Sequence, residues 1–508
     1  MRKKNNQSFF LKIFALLIII LNLVLGAWDV LHGELNFNTD IARDFLLLEN
    51  VIQTHKLALI GPRSGGINGL FHGPLWLYIN LPVYILSKGN PVGVGWFWIF
   101  LTALATIIVY IVGKSIFDHK VGLFSAILFS AYSISNAASY ENPFGAVLLS
   151  PIFFYFFYKY LIKNEVKYLL FSLLTLGCII QFQVAFGGPI LILISLYLLY
   201  FTILKTKKYL HFLSYLILII PFSTYILFEL RHNFLQTHSV IANFTTSVNS
   251  HHMNLKSLIE NRLEMFISVV NIFTTDSLII FFILLLVIVL TIFKIRKLPI
   301  RKAYYLFYFL FLGYIPLSFF LNGNVQSYHI SPFIPILILI FSSGYLYINK
   351  IFFTAVFILI FMLSFASGYK STVLALNTDK QMSISSWKFN HQAAQRIFND
   401  AGANFGYYIY TPDELGYSNR YALDYVQRGN KYKAGSFTKE KLTYLLISPN
   451  LSNSTAGNWW KINRVKISTA PNKVISYKNG FRIEKYILDS KQIMIPSDPN
   501  LINGLIFR

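Results

Sequence analysis

The sequence predicts an α-helical polytopic membrane protein that ends in a soluble α/β domain. Of its 508 residues, 55% are hydrophobic and only 13% charged, against roughly 25% charged in soluble domains. Apolar runs of about 20 residues, the length that crosses a bilayer, recur from Phe9 to Gly368. Residues 369–508 then return to a mixed composition.

The first run, Phe9 to Trp28, follows Arg2, Lys3 and Lys4. Its core exceeds a signal-peptide core and no small-residue cleavage site follows, so it is expected to remain as the first membrane helix. Further spans are expected at Val94–Gly113, Val121–Ala138, Pro143–Ile162, Tyr168–Phe186 and Pro189–Leu204. Five more follow at Tyr209–Glu229, Ser277–Phe293, Ala303–Leu321, Pro332–Ile348 and Ile351–Gly368, about eleven in all. The segment Gly73–Ser87 is apolar but short and interrupted by Pro74 and Pro82, which suits an interfacial or re-entrant helix.

With a cytoplasmic amino terminus, the inner connections carry the lysines and arginines, for example Lys205, Lys207 and Lys208, or Lys294, Arg296 and Lys297. The short outer connections "SYEN", "GG" and "NGNVQSYHIS" carry none. The positive-inside rule therefore favours eleven spans with the carboxyl-terminal domain outside. This divides the chain into a membrane domain, 1–368, and an extracytoplasmic domain, 369–508. The outer segments 29–93 and 230–276 are too long to be mere links.

Although the net charge is +23, the basic residues of the membrane part concentrate in short connections between apolar runs, so they report topology and imply no nucleic acid. The single cysteine, Cys178, excludes an internal disulfide and a cysteine-based zinc site within one chain.

Polar residues able to do chemistry gather on the outer face. In "NTDIARDFLLLENVIQT", Ile41, Phe45, Leu48 and Ile52 form one helical stripe, with Asn38 or Thr39 as cap. The helix is expected to lie in the interface, apolar face down, with Asp40 and Asp44 side by side. Both could equally be first-turn aspartates favoured by the helix dipole, and Arg43 could simply pair with a neighbour. The glycine-rich "GPRSGGINGLFHGPLW" follows, carrying Arg63 and His72 and suited to a substrate-covering loop. Other outer ends hold Glu141, then Glu229, Arg231 and His232, then Tyr328 and His329. Singly, each also reads as an interfacial anchor. As a group from separate loops they read as a cavity site. Acids beside a basic patch at a bilayer suit sugar transfer from a polyprenyl phosphate: a carboxylate takes the acceptor's proton or holds a metal, and Arg and His neutralise the leaving phosphate.

The stretches "NTDIARD", "GLFHGPLWLYI", "FELRHNF" and "SYHISPFIPILIL", followed by "YYIYTPDELGYSNRYALDYV", resemble the multi-spanning C-type glycosyltransferases (GT-C) of family 39. That family includes dolichyl-phosphate-mannose protein mannosyltransferases and bacterial aminoarabinose lipid A transferases. The resemblance implies an inverting transferase that moves a sugar from a polyprenyl-phosphate donor to an extracytoplasmic protein, lipid or cell-wall glycan. It also implies a multi-pass protein of the plasma or inner membrane. Asp40 matches the first acid of the family's acidic motif and would be the base or a metal ligand. Ile41 stands where the second acid belongs, so Asp44 or Glu141 would supply it. The resemblance gives Arg231, His232, His329 and Arg63 to the donor phosphate, and His72, Tyr328 and Glu229 to substrate. A magnesium or manganese ion on Asp40 and Glu141 is the only cofactor it suggests.

The outer domain is expected to have helices in "WKFNHQAAQRIFNDAG" and "NRYALDYVQRG" and strands in "FGYYIYT", "LTYLLISP" and "NGFRIEKYIL". Its expected part is to present or recognise the acceptor. The rival reading of the whole chain is a transporter or lipid flippase of envelope precursors. It would need ionisable residues or broken, duplicated helices at mid-membrane, and the spans show neither.

Overall fold

The computed structural model describes residues 2–64, 67, 69–245, 255–271, 278–295, 297–320, 326–378, 383–450, 452–501 and 504. The parts of the second long outer segment at 246–254 and 272–277, and residues 65, 66 and 68 of the glycine-rich stretch, lie outside them.

Helix α1 spans Arg2–Gly26. The first outer segment then holds α2, Thr39–Thr54, and α3, Leu75–Leu86. Six helices follow: α4, Pro91–Ile116; α5, His119–Ser133; α6, Pro143–Lys163; α7, Val166–Phe182; α8, Val184–Tyr200; and α9, Ile219–Arg231. The second outer segment contributes α10, Leu235–Thr245, and α11, Leu255–Asn271. Then come α12, Leu278–Lys294; α13, Leu298–Ser318; α14, Phe333–Ser342; and α15, Lys350–Tyr369.

Among the described residues, Pro91–Ile116, Pro143–Lys163, Val184–Leu204, Tyr209–Arg231 and Lys350–Leu374 are long and apolar enough to cross a bilayer. Shorter apolar helices, such as Val166–Phe182 and Phe333–Leu346, pack among them. Helix α3 is one of the short ones, with Pro82 inside it; its 12 residues reach about 18 Å, too little to span.

The outer domain has α16, Trp387–Ala401, and α17, Tyr417–Gln427. Its strands are β1, Phe405–Tyr410; β2, Ala434–Ser436; β3, Leu442–Ile447; β4, Lys473–Ser476; and β5, Arg482–Ile487, in the order β2-β1-β3-β5-β4. The first three pair in parallel, and β5 pairs antiparallel to β3 and β4. Strand β1 is buried on both faces. Phe405, Tyr407 and Ile409 join the large core, while Tyr408 and Tyr410 pack with Trp460, Val465 and Ile467 on the opposite side, as the two-residue period of a strand requires.

That large core is continuous from the membrane helices into the outer domain. Aromatic rings make the seam: Phe37 lies 5.2 Å from Trp387, and Phe45 lies 5.3 Å from Tyr421. Backbone bonds cross it as well, Phe37 N–H to Ser385 O at 2.6 Å and Trp387 N–H to Leu35 O at 3.0 Å. Beneath it the buried Glu34 carboxylate accepts from the Ser386 hydroxyl at 2.6 Å. Helix α2 is therefore covered from above by the outer domain. Ala42, Leu46 and Leu47 are buried as well as Ile41, Phe45 and Leu48 of the expected stripe, with Ile52 half-buried, so α2 packs on more than one flank.

Candidate active site

Asn38 begins the site. Its side-chain oxygen accepts from the Ile41 amide at 2.9 Å and caps α2, satisfying one of the free first-turn amides. Its Nδ2 donates to Glu141 Oε1 at 2.8 Å. One side chain thus fixes the start of α2 against the turn that precedes α6.

Arg43 stands between the two aspartates. Nη1 donates to Asp40 Oδ1 at 2.5 Å, while Nε and Nη2 donate to Asp44 Oδ1 at 3.1 and 3.0 Å. The Asp40 side chain is 55% exposed and that of Asp44 only 7%. The four-residue spacing puts both on one side of the helix, yet in different environments. Burial pushes Asp44 up to about 6, against the opposing pull of Arg43. Its buried Oδ2 has no hydrogen-bond partner among the described residues. Burial also raises Glu141; its bond from Asn38 opposes that, and the charges of Asp40 and Asp44 add to it.

The glycine-rich stretch brings His72 to the same place. Gly61 N–H donates to His72 O at 2.8 Å, and His72 N–H to Pro62 O at 2.9 Å, around an antiparallel bridge between Arg63 and Phe71. A side chain at Gly61 would strike the Gly73 carbonyl, and one at Gly73 would strike the Gln181 amide, so both positions need glycine for close backbone approach. His72 Nδ1 accepts from Val184 N–H at 3.4 Å. His329, at the end of a short 3₁₀ turn, accepts on Nδ1 from Gln326 N–H at 3.1 Å. A neutral imidazole that accepts on Nδ1 carries its proton on Nε2, so both rings keep Nε2 as a donor. Burial drives His72 down to about 3, with His329 and Arg43 adding to it. Burial drives His329 down to about 4, with Arg262 adding to it.

Those mutual influences place Asp40, Arg43, Asp44, Glu141, His72, His329 and Arg262 in one neighbourhood. Tyr328 belongs to it: burial raises its phenol and the charges of Asp40 and Glu141 raise it further. Tyr328 and Glu141 line a cavity of about 340 Å³ together with Asn136, Ser139 and Ser331. A second, apolar groove of about 530 Å³ opens beside His72, lined by Phe71, Ile180, Phe222, Tyr225 and Ile226.

Arg262, on α11, was not singled out from the sequence. It is 2% exposed, and Nε donates to Ser318 O at 3.2 Å. The signal was a basic residue on an amphipathic helix of a long outer segment, and its buried partner lies on another helix.

Other expected site residues lie apart. Glu229 caps α10, accepting from Gln236 N–H and Thr237 N–H at 3.0 Å each. His232 donates from Nδ1 to Phe228 O at 2.9 Å and stacks on the Phe228 ring. Arg231, His232 and Arg63 are exposed, and among the described residues none bonds to Asp40, Asp44, Glu141, His72 or His329. Arg43 already supplies the positive charge between the aspartates, Glu141 is held by Asn38, and no group of three or more acidic, histidine or cysteine ligands forms among the described residues.

The two buried histidines set a pH dependence. Their folded values, about 3 and about 4, lie below the ordinary 6.5. Their contribution to stability is present in full above about pH 6.5 and is lost as pH falls toward those values. Asp44, raised from 3.8 to about 6, has the opposite sign over a smaller shift: its contribution is present below about pH 4 and is lost as pH rises through 6. The thermal midpoint of the detergent-solubilised protein is therefore expected to drop between pH 7 and pH 4, and His72→Gln with His329→Gln to flatten that drop. An unchanged pH profile in the double variant would show that the histidines are not buried in neutral form.

Comparison with known proteins shows the fold in which this site sits. Residues 72–227, less than half of the chain, match the family model described as dolichyl-phosphate-mannose-protein mannosyltransferase. Among solved structures, ArnT from Cupriavidus metallidurans in the apo state superposes with a TM-score of 0.60 at 10% identity, covering 93% of this chain and 97% of its own. The same protein bound to undecaprenyl phosphate gives 0.57 at 9% identity, with 96% and 99% covered. No curated protein matches the sequence. The chain is thus a multi-pass membrane protein with the C-type glycosyltransferase fold, and it resembles the protein mannosyltransferases and ArnT.

Proposed function

We propose that the protein is an inverting membrane glycosyltransferase that moves a sugar from a polyprenyl-phosphate donor to an extracytoplasmic acceptor. One observation carries the reading: exposed Asp40 is bonded by the half-buried Arg43, two buried histidines that donate from Nε2 lie near by, and Phe71, the chain neighbour of His72, lines an apolar groove. The groove suits the isoprenoid chain, and the match to a protein crystallised with undecaprenyl phosphate supports that donor.

The donor's phosphate then lies against His72, His329 and Arg262. Asp40 takes the proton of the acceptor nucleophile as it attacks the anomeric carbon from the face opposite the phosphate. The new glycosidic bond forms as the bond to phosphate breaks, and polyprenyl phosphate leaves with its charge held by Arg262 and the two Nε2 donors. Arg43 holds the Asp40 side chain in place and is held in turn by Asp44. No metal enters the scheme.

Incubation of the purified protein with a set of undecaprenyl-phosphate sugars tests the reading through release of undecaprenyl phosphate; turnover of none of them would overturn it. Arg262→Ala is expected to raise the donor concentration for half-maximal rate by about tenfold or more, since a lost charge-assisted hydrogen bond is worth roughly 1.5–3 kcal/mol. An unchanged donor dependence would remove Arg262 from the phosphate. The topology that goes with the function has the amino terminus inside and the outer domain outside. A tag after Arg508 should be labelled in intact cells, and protection of that tag until the membrane is permeabilised would reverse the orientation.

A further inference from the structure

A large cleft lies away from the Asp40 site. It measures about 1220 Å³ and opens between the carboxyl-terminal half of α2, the end of α3 and the outer-domain helices α16 and α17. Glu49, on its wall, is nine residues along α2 from Asp40, about 14 Å. Pockets for drug-sized molecules occupy roughly 300–1,000 Å³ and favour domain boundaries, so this one is sized for something longer.

One wall is a ladder. His391, Gln395 and Asn399 stand four residues apart on α16, which puts them on one stripe about 12 Å long. Among the described residues none of these three side chains has a hydrogen-bond partner; the His391 ring only stacks against Trp387 at 5.2 Å and meets Tyr425 edge-on at 5.7 Å. The facing wall offers Leu57, Leu81 and Ile85, and Tyr425 adds an aromatic ring beside His391. The cleft is held open by a fixed seam at its base. Arg428 donates to Glu49 Oε2 at 2.6 Å and to Lys88 O at 3.0 Å, and the Tyr421 hydroxyl donates to the Tyr84 hydroxyl at 2.9 Å. Gly89, at φ +76°, leaves room for the Arg428 guanidinium, which a side chain there would displace. Such a seam means that the cleft does not have to be created on binding.

The chemistry of the lining selects the ligand. Arg428 is neutralised by Glu49, so Lys88 is the one cation in the lining that makes no ion pair among the described residues. That is too little positive charge for a polyphosphate or an acidic headgroup, which call for clustered Arg and Lys. A row of uncommitted amide and imidazole groups facing aromatic and aliphatic surface suits a neutral polyhydroxylated chain, whose hydroxyls need both donors and acceptors and whose ring faces need apolar contact.

The geometry points to a carbohydrate-binding cleft that holds an extended, neutral glycan between α2 and α16, with the acceptor end directed toward Asp40. Its role as acceptor rests on the proposed transferase activity; its binding does not. The test uses the full chain in nanodiscs of neutral lipid, with saturation-transfer NMR against linear hexasaccharides of N-acetylglucosamine, mannose and glucose. At least one is expected to bind. Gln395→Trp and Asn399→Trp, which fill the cleft from exposed positions and so spare folding, are expected to weaken that binding by about tenfold or more. Release of undecaprenyl phosphate by transfer to water, measured on the same tryptophan variants, should persist, and its absence from the wild-type protein would sink the transferase reading alone. Binding of no hexasaccharide, or binding indifferent to both tryptophans, would overturn the cleft proposal. So would tryptophan-sensitive binding of phosphatidylglycerol in place of the sugars, which would make the cleft a lipid site.

Discussion

Asp40→Asn is expected to cut sugar transfer by about a thousandfold while leaving the folded protein intact, within the range of roughly 10²–10⁴ that a positioned general base contributes. The substitution is mild for the fold because the Asp40 side chain is more than half exposed and helix α2 is capped by Asn38. An asparagine still accepts from Arg43 through its carbonyl oxygen, but it cannot take a proton. The measurement is the single-turnover rate at saturating donor, with donor affinity measured in parallel. A rate within about tenfold of wild type would take the base role from Asp40, and Glu141, hydrogen-bonded to Asn38 a short way off, would be the next residue to change.

Arg43→Ala is expected to have a larger and broader effect. It removes the partner of a carboxylate that is nearly fully buried and leaves Asp44 with neither oxygen bonded. Breaking a buried pair by deleting one side typically costs about 3–5 kcal/mol, so both the thermal midpoint and the transfer rate should fall. Arg43→Lys should recover stability in part and activity poorly, because an ammonium cannot bridge two carboxylates as the planar guanidinium does. Arg43→Ala combined with Asp44→Ala should regain stability without regaining transfer. A single Arg43→Ala variant as stable and active as wild type would mean that the Asp40–Arg43–Asp44 bridge does not form in the working enzyme. Chelators should leave the wild-type rate unchanged, since Arg43 supplies the cation that an ion would otherwise bring.

Much of the site can be read along the chain. The cap at Asn38, the helix after it and the acids one turn apart are local features, and so are the glycines that deliver His72. What could not be read is the cover. The outer domain meets α2 through Phe45 and Tyr421, and the bond from Thr39 to Asp413 joins groups 374 residues apart. Periodicity reports which residues want burial, but it cannot say which distant element buries them. Arg262 escaped for a similar reason: its guanidinium bonds to the Ser318 carbonyl on a different helix. The outer strands with apolar runs, β1, β3 and β5, were legible. Strands β2 and β4, "AGS" and "KVIS", are too short to show alternation and exist because a neighbour pairs with them.

The shared core at the Phe37–Trp387 and Phe45–Tyr421 contacts dictates an order of assembly. During synthesis α2 is made long before residues 385–427, so Phe37 and Phe45 wait for the ring partners that complete this core.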